Sequence, residues 1–382
     1  MKAVIAIDSF KGSLSSMEAG KAAADGIKRV FPDAETVIKP VADGGEGTVE
    51  ALVSGLEGCF AEAEVSDPLG RRINAVYGIL PDNIAVIEMS AASGLPLLSP
   101  SERDVMHATT YGTGELILDA VKRGCRNFII GIGGSATNDG GIGCLQALGF
   151  GMLDKDGKQV GLGAQGLLQL VRITDENVIP ELEYCRFYVA CDVRNPLCGE
   201  NGCSRIFAPQ KGAGEDIIGP MDVSMRSYAE LTAGFNPSAS PDTAGAGAAG
   251  GLGFALMYYL NAQLCPGADL IIKRTGLEEA VKDADIVITG EGCIDGQTVM
   301  GKAPIGIAAL AKAHGKPVIA FSGAVRHGAR LCNEKGIDAF FPVLRSVCTL
   351  EEAMDAENAR SSIADTAEQV FRTIRMFSKT FI

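Results

Sequence analysis

Four times in this chain an apolar run ends on a loop that combines glycine with an acid and a hydroxyl residue, and a helical pattern follows. The loops read DSFKGS (8–13), VADGGEGT (41–48), GIGGSATNDGG (131–141) and TGEGCIDGQTVMGK (289–302). Short apolar runs that alternate with helical periods predict parallel strands with helices on the sheet faces, because a parallel pair needs a long crossover. Residues 2–8 read as a buried strand. Ser15 and Glu18 form a capping box that opens a helix running to about Val30. Residues 35–41 read as the next strand and 48–56 as the next helix. The pattern returns near the C-terminus, with strands at 286–289, 318–321 and 339–344. Helices are expected from Pro304 to near Gly315, over 329–335, and from about Leu350 as one long closing helix.

The middle of the chain reads differently. Alternating stretches between residues 62 and 89 flank the turns DPLGRR and LPDN, as in antiparallel hairpins. A helix at 114–123 and a strand at 128–131 follow. Residues 209–249 are rich in Pro, Gly, Ser and Ala and read as partly irregular. A chain of 382 residues exceeds one ordinary core. The expected fold class is α/β with two domains. Residues 1–61 plus 276–382 form a doubly wound, mostly parallel, flavodoxin- or Rossmann-like domain. Residues 62–275 form an inserted mixed α/β domain, with the ligand cleft between the two.

Charge and composition narrow the function. The formal net charge of −13 opposes a nucleic-acid or anionic-membrane surface, so any anionic ligand must be met by local cations. Eleven cysteines without a CxxC pair, and only three histidines, read as free thiols in a reducing compartment rather than a zinc site. No apolar run reaches membrane-spanning length and no signal peptide opens the chain, so a cytoplasmic location is expected.

Known motifs fit poorly. GQTVMGKA (296–303) resembles a P-loop, but Ala303 stands where a hydroxyl should meet Mg²⁺. GAGAAG (245–250) follows no strand, and the loop GIGGSA (131–136) opens no immediate helix, so both are weak dinucleotide sites. GxSxG and HExxH are absent. What remains is acid-rich with isolated bases. Asp8, Asp43, Glu46, Asp139, Asp192, Glu291 and Asp295 lie at apparent strand ends, with Lys11, Arg194, Arg205, Lys211, Lys302 and Arg326 nearby. Carboxylates can hold Mg²⁺ or take a hydroxyl proton, and lysines can neutralise a transferring phosphoryl group. One such aspartate alone is more often a turn former, and one lysine alone more often surface.

Taken together, DSFKGSLSS, KPVADGGEGT, GIGGSATNDGG, CDVRNPLCGENG, APQKGA, GAGAAGGLG and ITGEGCIDGQTVMGKAP closely resemble the bacterial type-1 glycerate kinases, in order, from residue 2 to about residue 345. The resemblance implies ATP-dependent phosphorylation of glycerate, with 2-phosphoglycerate the usual product, and a fold with one domain inserted in the other. Cys293 departs from the pattern, at a position where a more polar or basic residue is expected.

Chemistry then assigns roles. Asp192 is the expected base, with Arg194 beside it to hold a carboxylate, and Asp43 is the fallback. Lys11 and Lys302 are expected on anionic oxygens. Ser9, Gly12, Ser13, Gly44, Gly45, Gly133, Gly134 and Ser135 are expected around substrate or phosphate, together with Asp43. Asp295 and Glu291 are the expected Mg²⁺ ligands. The expected partners are glycerate and ATP, with no nucleic acid or membrane, and a homodimer stays open. Competing readings are a glycerate 3-kinase, a kinase of another small hydroxy acid, a nicotinamide-dependent oxidoreductase and an inert ligand sensor.

Overall fold

The structure is a computed structural model that describes residues 1–378. It divides into two compact units. One comprises Met1–Asp43, Glu50–Leu56 and Pro266 onward; the other comprises Gly44–Val49 and Glu57–Cys265.

The first unit is built on a five-stranded sheet in the order Ala339–Pro342, Val318–Val325, Ile286–Ile294, Lys2–Ile7, Glu35–Ile38, with every neighbouring pair parallel. Alternation in the first strand sends its side chains into two different cores. Ala3, Ile5 and Ile7 pack with Ile27, Ile363 and Phe371, from the helices Ser16–Val30 and Ala356–Ser378. Val4 and Ala6 pack on the other face with Val281, Ile307 and Ala311. A sheet buried on both faces explains why its strands read as unbroken apolar runs. The Ser15–Glu18 capping box is present, with the Ser15 amide donating to Glu18 Oε2 at 3.0 Å.

The second unit carries a six-stranded sheet in the order Gln263–Cys265, Arg186–Ala190, Asn127–Gly131, Ile84–Glu88, Arg72–Leu80, Cys59–Ser66. The first four strands are mutually parallel, and the last two add antiparallel pairs, as the hairpin turns predict. Its core gathers Tyr77, Phe128, Phe187 and Phe254, with Phe128 and Phe187 stacked at 4.7 Å. The doubly wound α/β expectation agrees with this architecture.

Four local expectations change. The stretch 209–249, read as partly irregular, carries the 21-residue helix Glu215–Phe235. The strand expected at 286–289 runs on to Ile294, because Glu291 and Cys293 continue the parallel ladder opposite Ser322 and Ala324. The long closing helix is interrupted at Asp355, which has extended backbone between Leu350–Met354 and Ala356–Ser378. The helix expected over 329–335 shrinks to Leu331–Glu334. Among the described residues, no helix is long and apolar enough to cross a membrane.

Candidate active site

In the first unit, the carboxyl ends of the strands Lys2–Ile7 and Ile286–Ile294 open on a cavity of about 370 Å³. In open parallel sheets this edge is where ligands bind. The loop after the first strand folds back on itself. The amides of Ser13 and Leu14 both donate to the Phe10 carbonyl, and Gly12 takes a left-handed φ of 76°. That turn directs Ser9, Lys11 and Ser13 to the cavity wall. The hydroxyl oxygens of Ser9 and Ser13 are buried yet have no hydrogen-bond partner among the described residues. Buried polar groups rarely go unpaired, so two orphan hydroxyls on one cavity point to a polar ligand.

Asp8 lies on the same wall and is almost fully buried. It accepts from the Ser9 amide at 2.7 Å. Burial, followed by the charge of Asp43, pushes its carboxyl up to about 7. Lys11 reaches Asp43 at 3.5 Å and keeps about half of its side chain exposed. Glu291, on the second strand, is buried. One of its oxygens accepts from Thr298 Oγ1 at 2.7 Å and the other from Lys302 Nζ at 3.2 Å. Burial raises the Glu291 carboxyl against the pull of these donors. Burial alone would lower Lys302, but the Glu291 charge and hydrogen bond, together with the charges of Asp295 and Asp43, more than offset it and leave the ammonium above its ordinary value. Both groups shift upward, so a charged lysine facing a strained carboxylate describes the pair best. Two cations among carboxylates and free hydroxyls can bind phosphate oxygens in a chain of strongly negative charge.

Ser9, Lys11, Ser13, Asp43, Glu291 and Lys302 therefore share one cavity wall. Asp295 is not on it. Its carboxylate accepts from the Gln297 amide at 2.8 Å, inside a turn that Thr298 closes by accepting from the Asp295 amide. Cys293 lines the cavity, so the departure from the family pattern falls where it can touch a ligand. Among the described residues no three Cys, His, Asp or Glu side chains gather tightly enough to hold a metal unaided. Mg²⁺ commonly takes one or two carboxylates and completes its shell with phosphate oxygens and water, which the carboxylates of this wall can accommodate.

The second unit holds the remaining candidates. Here the two glycine loops meet backbone to backbone: a Cβ on Gly131 would stand 2.4 Å from the Gly44 carbonyl oxygen, and one on Gly133 would stand 3.2 Å from the Gly45 Cα. Gly133 and Gly134 are exposed, and Ser135 behind them is buried. Asp139 is fully buried beneath the loop. It accepts from the Thr110 amide at 2.8 Å, the Thr110 hydroxyl at 2.9 Å and the Gly141 amide at 3.0 Å. It holds the loop's shape. Asp192 and Arg194 follow the strand Arg186–Ala190 in an exposed segment.

Two residues that the sequence placed among the acids and bases, but to which it assigned no role, stand out. Asp8 was legible as the acid that ends the first strand, but its burial was not. Lys211 sat in a Pro/Gly-rich stretch that gave no sign of a buried side chain.

Comparison with known proteins adds a separate line of evidence. A model of the glycerate kinase family matches residues 3–375. A glycerate 2-kinase of Escherichia coli (strain K12) is 49% identical over 354 residues, covering 92% of this chain and 93% of its own. A glycerate kinase of Haemophilus influenzae is 46% identical over 375 residues, covering 98% and 99%. A solved structure of a glycerate kinase 2 candidate from Salmonella typhimurium LT2 superposes with a TM-score of 0.91 at 45% identity, covering 99% of both chains.

Proposed function

The chain belongs to the glycerate kinase family and is a kinase, and from that premise we propose that it phosphorylates the 2-hydroxyl of D-glycerate with ATP. The observation that carries this reading is the 49% identity, over nearly the whole of both chains, to a protein named glycerate 2-kinase. The orphan hydroxyls and paired lysines of the first unit support it as a site for anionic oxygens.

In the proposed reaction the bond between the γ-phosphorus and the ADP oxygen breaks as the bond to the glycerate oxygen forms. The hydroxyl proton passes to a carboxylate. Such transfer needs positioning and charge neutralisation more than covalent help. Lys11 and Lys302 take anionic oxygens, and the Ser9 and Ser13 hydroxyls and the amide of Gly12 orient the phosphates. Gly44, Gly45, Gly133, Gly134 and Ser135 offer further donors, and Arg194 takes the glycerate carboxylate. Glu291 would hold Mg²⁺, which would supply charge neutralisation for the phosphates when bound; Asp295, expected as the second ligand, lies off this cavity wall, where Asp43 is the other carboxylate within the site. Asp192 is the proposed base. One observation favours a second reading, with Asp8 as base: its carboxyl is pushed to about 7, where a base works best near neutral pH.

The test is incubation with ATP, Mg²⁺ and D-glycerate, followed by phosphorus NMR of the product. 2-Phosphoglycerate is expected, and none is expected in excess EDTA. 3-Phosphoglycerate, or no phosphorylated product, overturns the reading.

A further inference from the structure

Lys211 is 2% exposed, yet no carboxylate comes within ion-pair reach of its ammonium among the described residues. Its two hydrogen-bond acceptors are neutral: Ser135 Oγ at 2.7 Å and the Thr137 carbonyl at 2.6 Å. A buried ammonium without a counter-ion is costly to fold, and a hydrophobic residue there would avoid the cost. The proton arrangement shows what the cost obtains. An ammonium only donates, so Ser135 Oγ must accept from it. The single Ser135 hydroxyl proton is then directed away from Lys211, and it meets no acceptor among the described residues. Directly before Ser135 lie Gly133 and Gly134, both exposed, whose amides also donate to no acceptor among the described residues. Two residues further on, Thr137 Oγ1 is buried without a partner.

We propose that Lys211 is a positioning residue for an anion seat on the second unit, in which the Gly133 and Gly134 amides and the Ser135 hydroxyl bind a carboxylate or phosphoryl group. The lysine acts through Ser135. It fixes that hydroxyl as a donor and places a positive charge without an ion-pair partner among the described residues behind the loop, which an arriving anion completes. The proposal rests on the kinase reading only for the choice of anion, between the carboxylate of the acceptor and the phosphates of the donor.

The charge is itself poised to titrate. Burial pulls the Lys211 ammonium down to about 8. The ionisable groups facing it are the Asp139 carboxyl and the Cys203 thiol, which burial pushes up to about 12 and so keeps neutral. Anion binding at this seat should therefore weaken as pH rises from 7 to 9, by up to about tenfold, as the protonated fraction falls.

The experiment is calorimetric titration of the full chain with two probes, D-glycerate and inorganic phosphate, at pH 7 and pH 9. Wild type, Lys211→Met, Lys211→Arg and Ser135→Ala are compared, with folding checked by circular dichroism. The expected result is a loss of about 10–100-fold in affinity for one probe in Lys211→Met at pH 7, the range for one charge-assisted contact. The pH dependence should vanish in that variant, and Ser135→Ala should show a smaller loss for the same probe. Lys211→Arg should restore affinity and remain flat with pH. The probe affected names the anion. If Lys211→Met does not fold, Ser135→Ala and the wild-type pH series decide alone. Unchanged affinity for both probes in folded variants overturns the proposal, as does a wild type that binds neither probe. Failure of the kinase reading would show separately, as absent turnover with intact Lys211-dependent binding.

Discussion

The ammonium of Lys302 stands 3.2 Å from one oxygen of Glu291, while the other oxygen of that buried carboxylate is held by the Thr298 hydroxyl at 2.7 Å. The contact joins the start of the helix Ala303–Ala313 to the end of a central strand. Removing the lysine leaves a carboxylate out of water with one donor. Lys302→Ala should therefore cost about 1–3 kcal/mol in stability, the range for a hydrogen bond to a charged group. If Lys302 also contacts the transferring phosphoryl group, kcat/KM should fall by about 10²-fold, and Lys302→Arg should recover stability more fully than activity. Urea denaturation and steady-state kinetics on the same preparations check both parts. A stability loss with unchanged kcat/KM would leave Lys302 a purely structural partner.

Lys11 offers the contrast. Its ion pair with Asp43 is long, at 3.5 Å, and about half exposed, so it should contribute less than about 1 kcal/mol to folding. Lys11→Ala should keep its melting temperature within a few degrees of wild type while losing at least ~100-fold in kcat/KM, as expected for one lost electrostatic contact in the transition state. An unchanged rate would return Lys11 to the ordinary surface.

Asp8 gives a pH signature that needs no substrate. Its carboxyl is raised from 3.8 to about 7 in the folded protein. Between these values the folded state holds a proton that the unfolded state releases, so stability falls as pH rises through this window. Above pH 7 the whole penalty is present; below about pH 4 none of it is. Asp8→Asn removes the ionisation. It should therefore be more stable than wild type at pH 8, by on the order of 2–4 kcal/mol. The gain should shrink progressively toward pH 4. Chemical denaturation at pH 4.5, 6 and 8 measures this directly. A constant difference across pH would mean that Asp8 ionises normally.

These three residues also show how far the sequence could be read. Alternation and turn residues identified the strand before Asp8, and the capping box at Ser15 located the helix after it, because both signals are local. Glu291 was read as a loop residue, since GEG looks like a turn. In the fold Gly290 serves contact between strands: a Cβ there would stand 2.1 Å from the Phe321 carbonyl oxygen. That constraint comes from a partner strand about thirty residues away and leaves no trace in the local pattern. The burial of Asp8 and of Lys211 is non-local in the same way. Asp8 opens a polar loop and Lys211 lies beside Gly212, local features that suggest exposure, and only tertiary packing withdraws them from water. Asp295 was paired with Glu291 on spacing alone, but the strand's extension to Ile294 sends Asp295 into the following turn.

The identity of the base separates on two asparagine variants. Asp192 lies in an exposed segment after a strand of the second unit, beside Arg194. Asp8 lies buried on the cavity of the first unit. Asparagine keeps the size and much of the hydrogen bonding of either side chain but cannot take a proton at neutral pH. If Asp192 is the base, Asp192→Asn should lose roughly 10²–10⁴-fold in kcat with KM little changed. If it only shapes the turn at DVRNP, asparagine serves nearly as well and kcat stays close to wild type. Asp8→Asn should then carry the loss instead. The pH profile adds a second discriminator. With Asp8 as base, the acid limb of kcat should fall away below about pH 7, following its raised carboxyl, and that limb should disappear from the residual activity of Asp8→Asn. Full activity in both variants would exclude both carboxylates and move the assignment to Asp43, which lines the same cavity as Asp8.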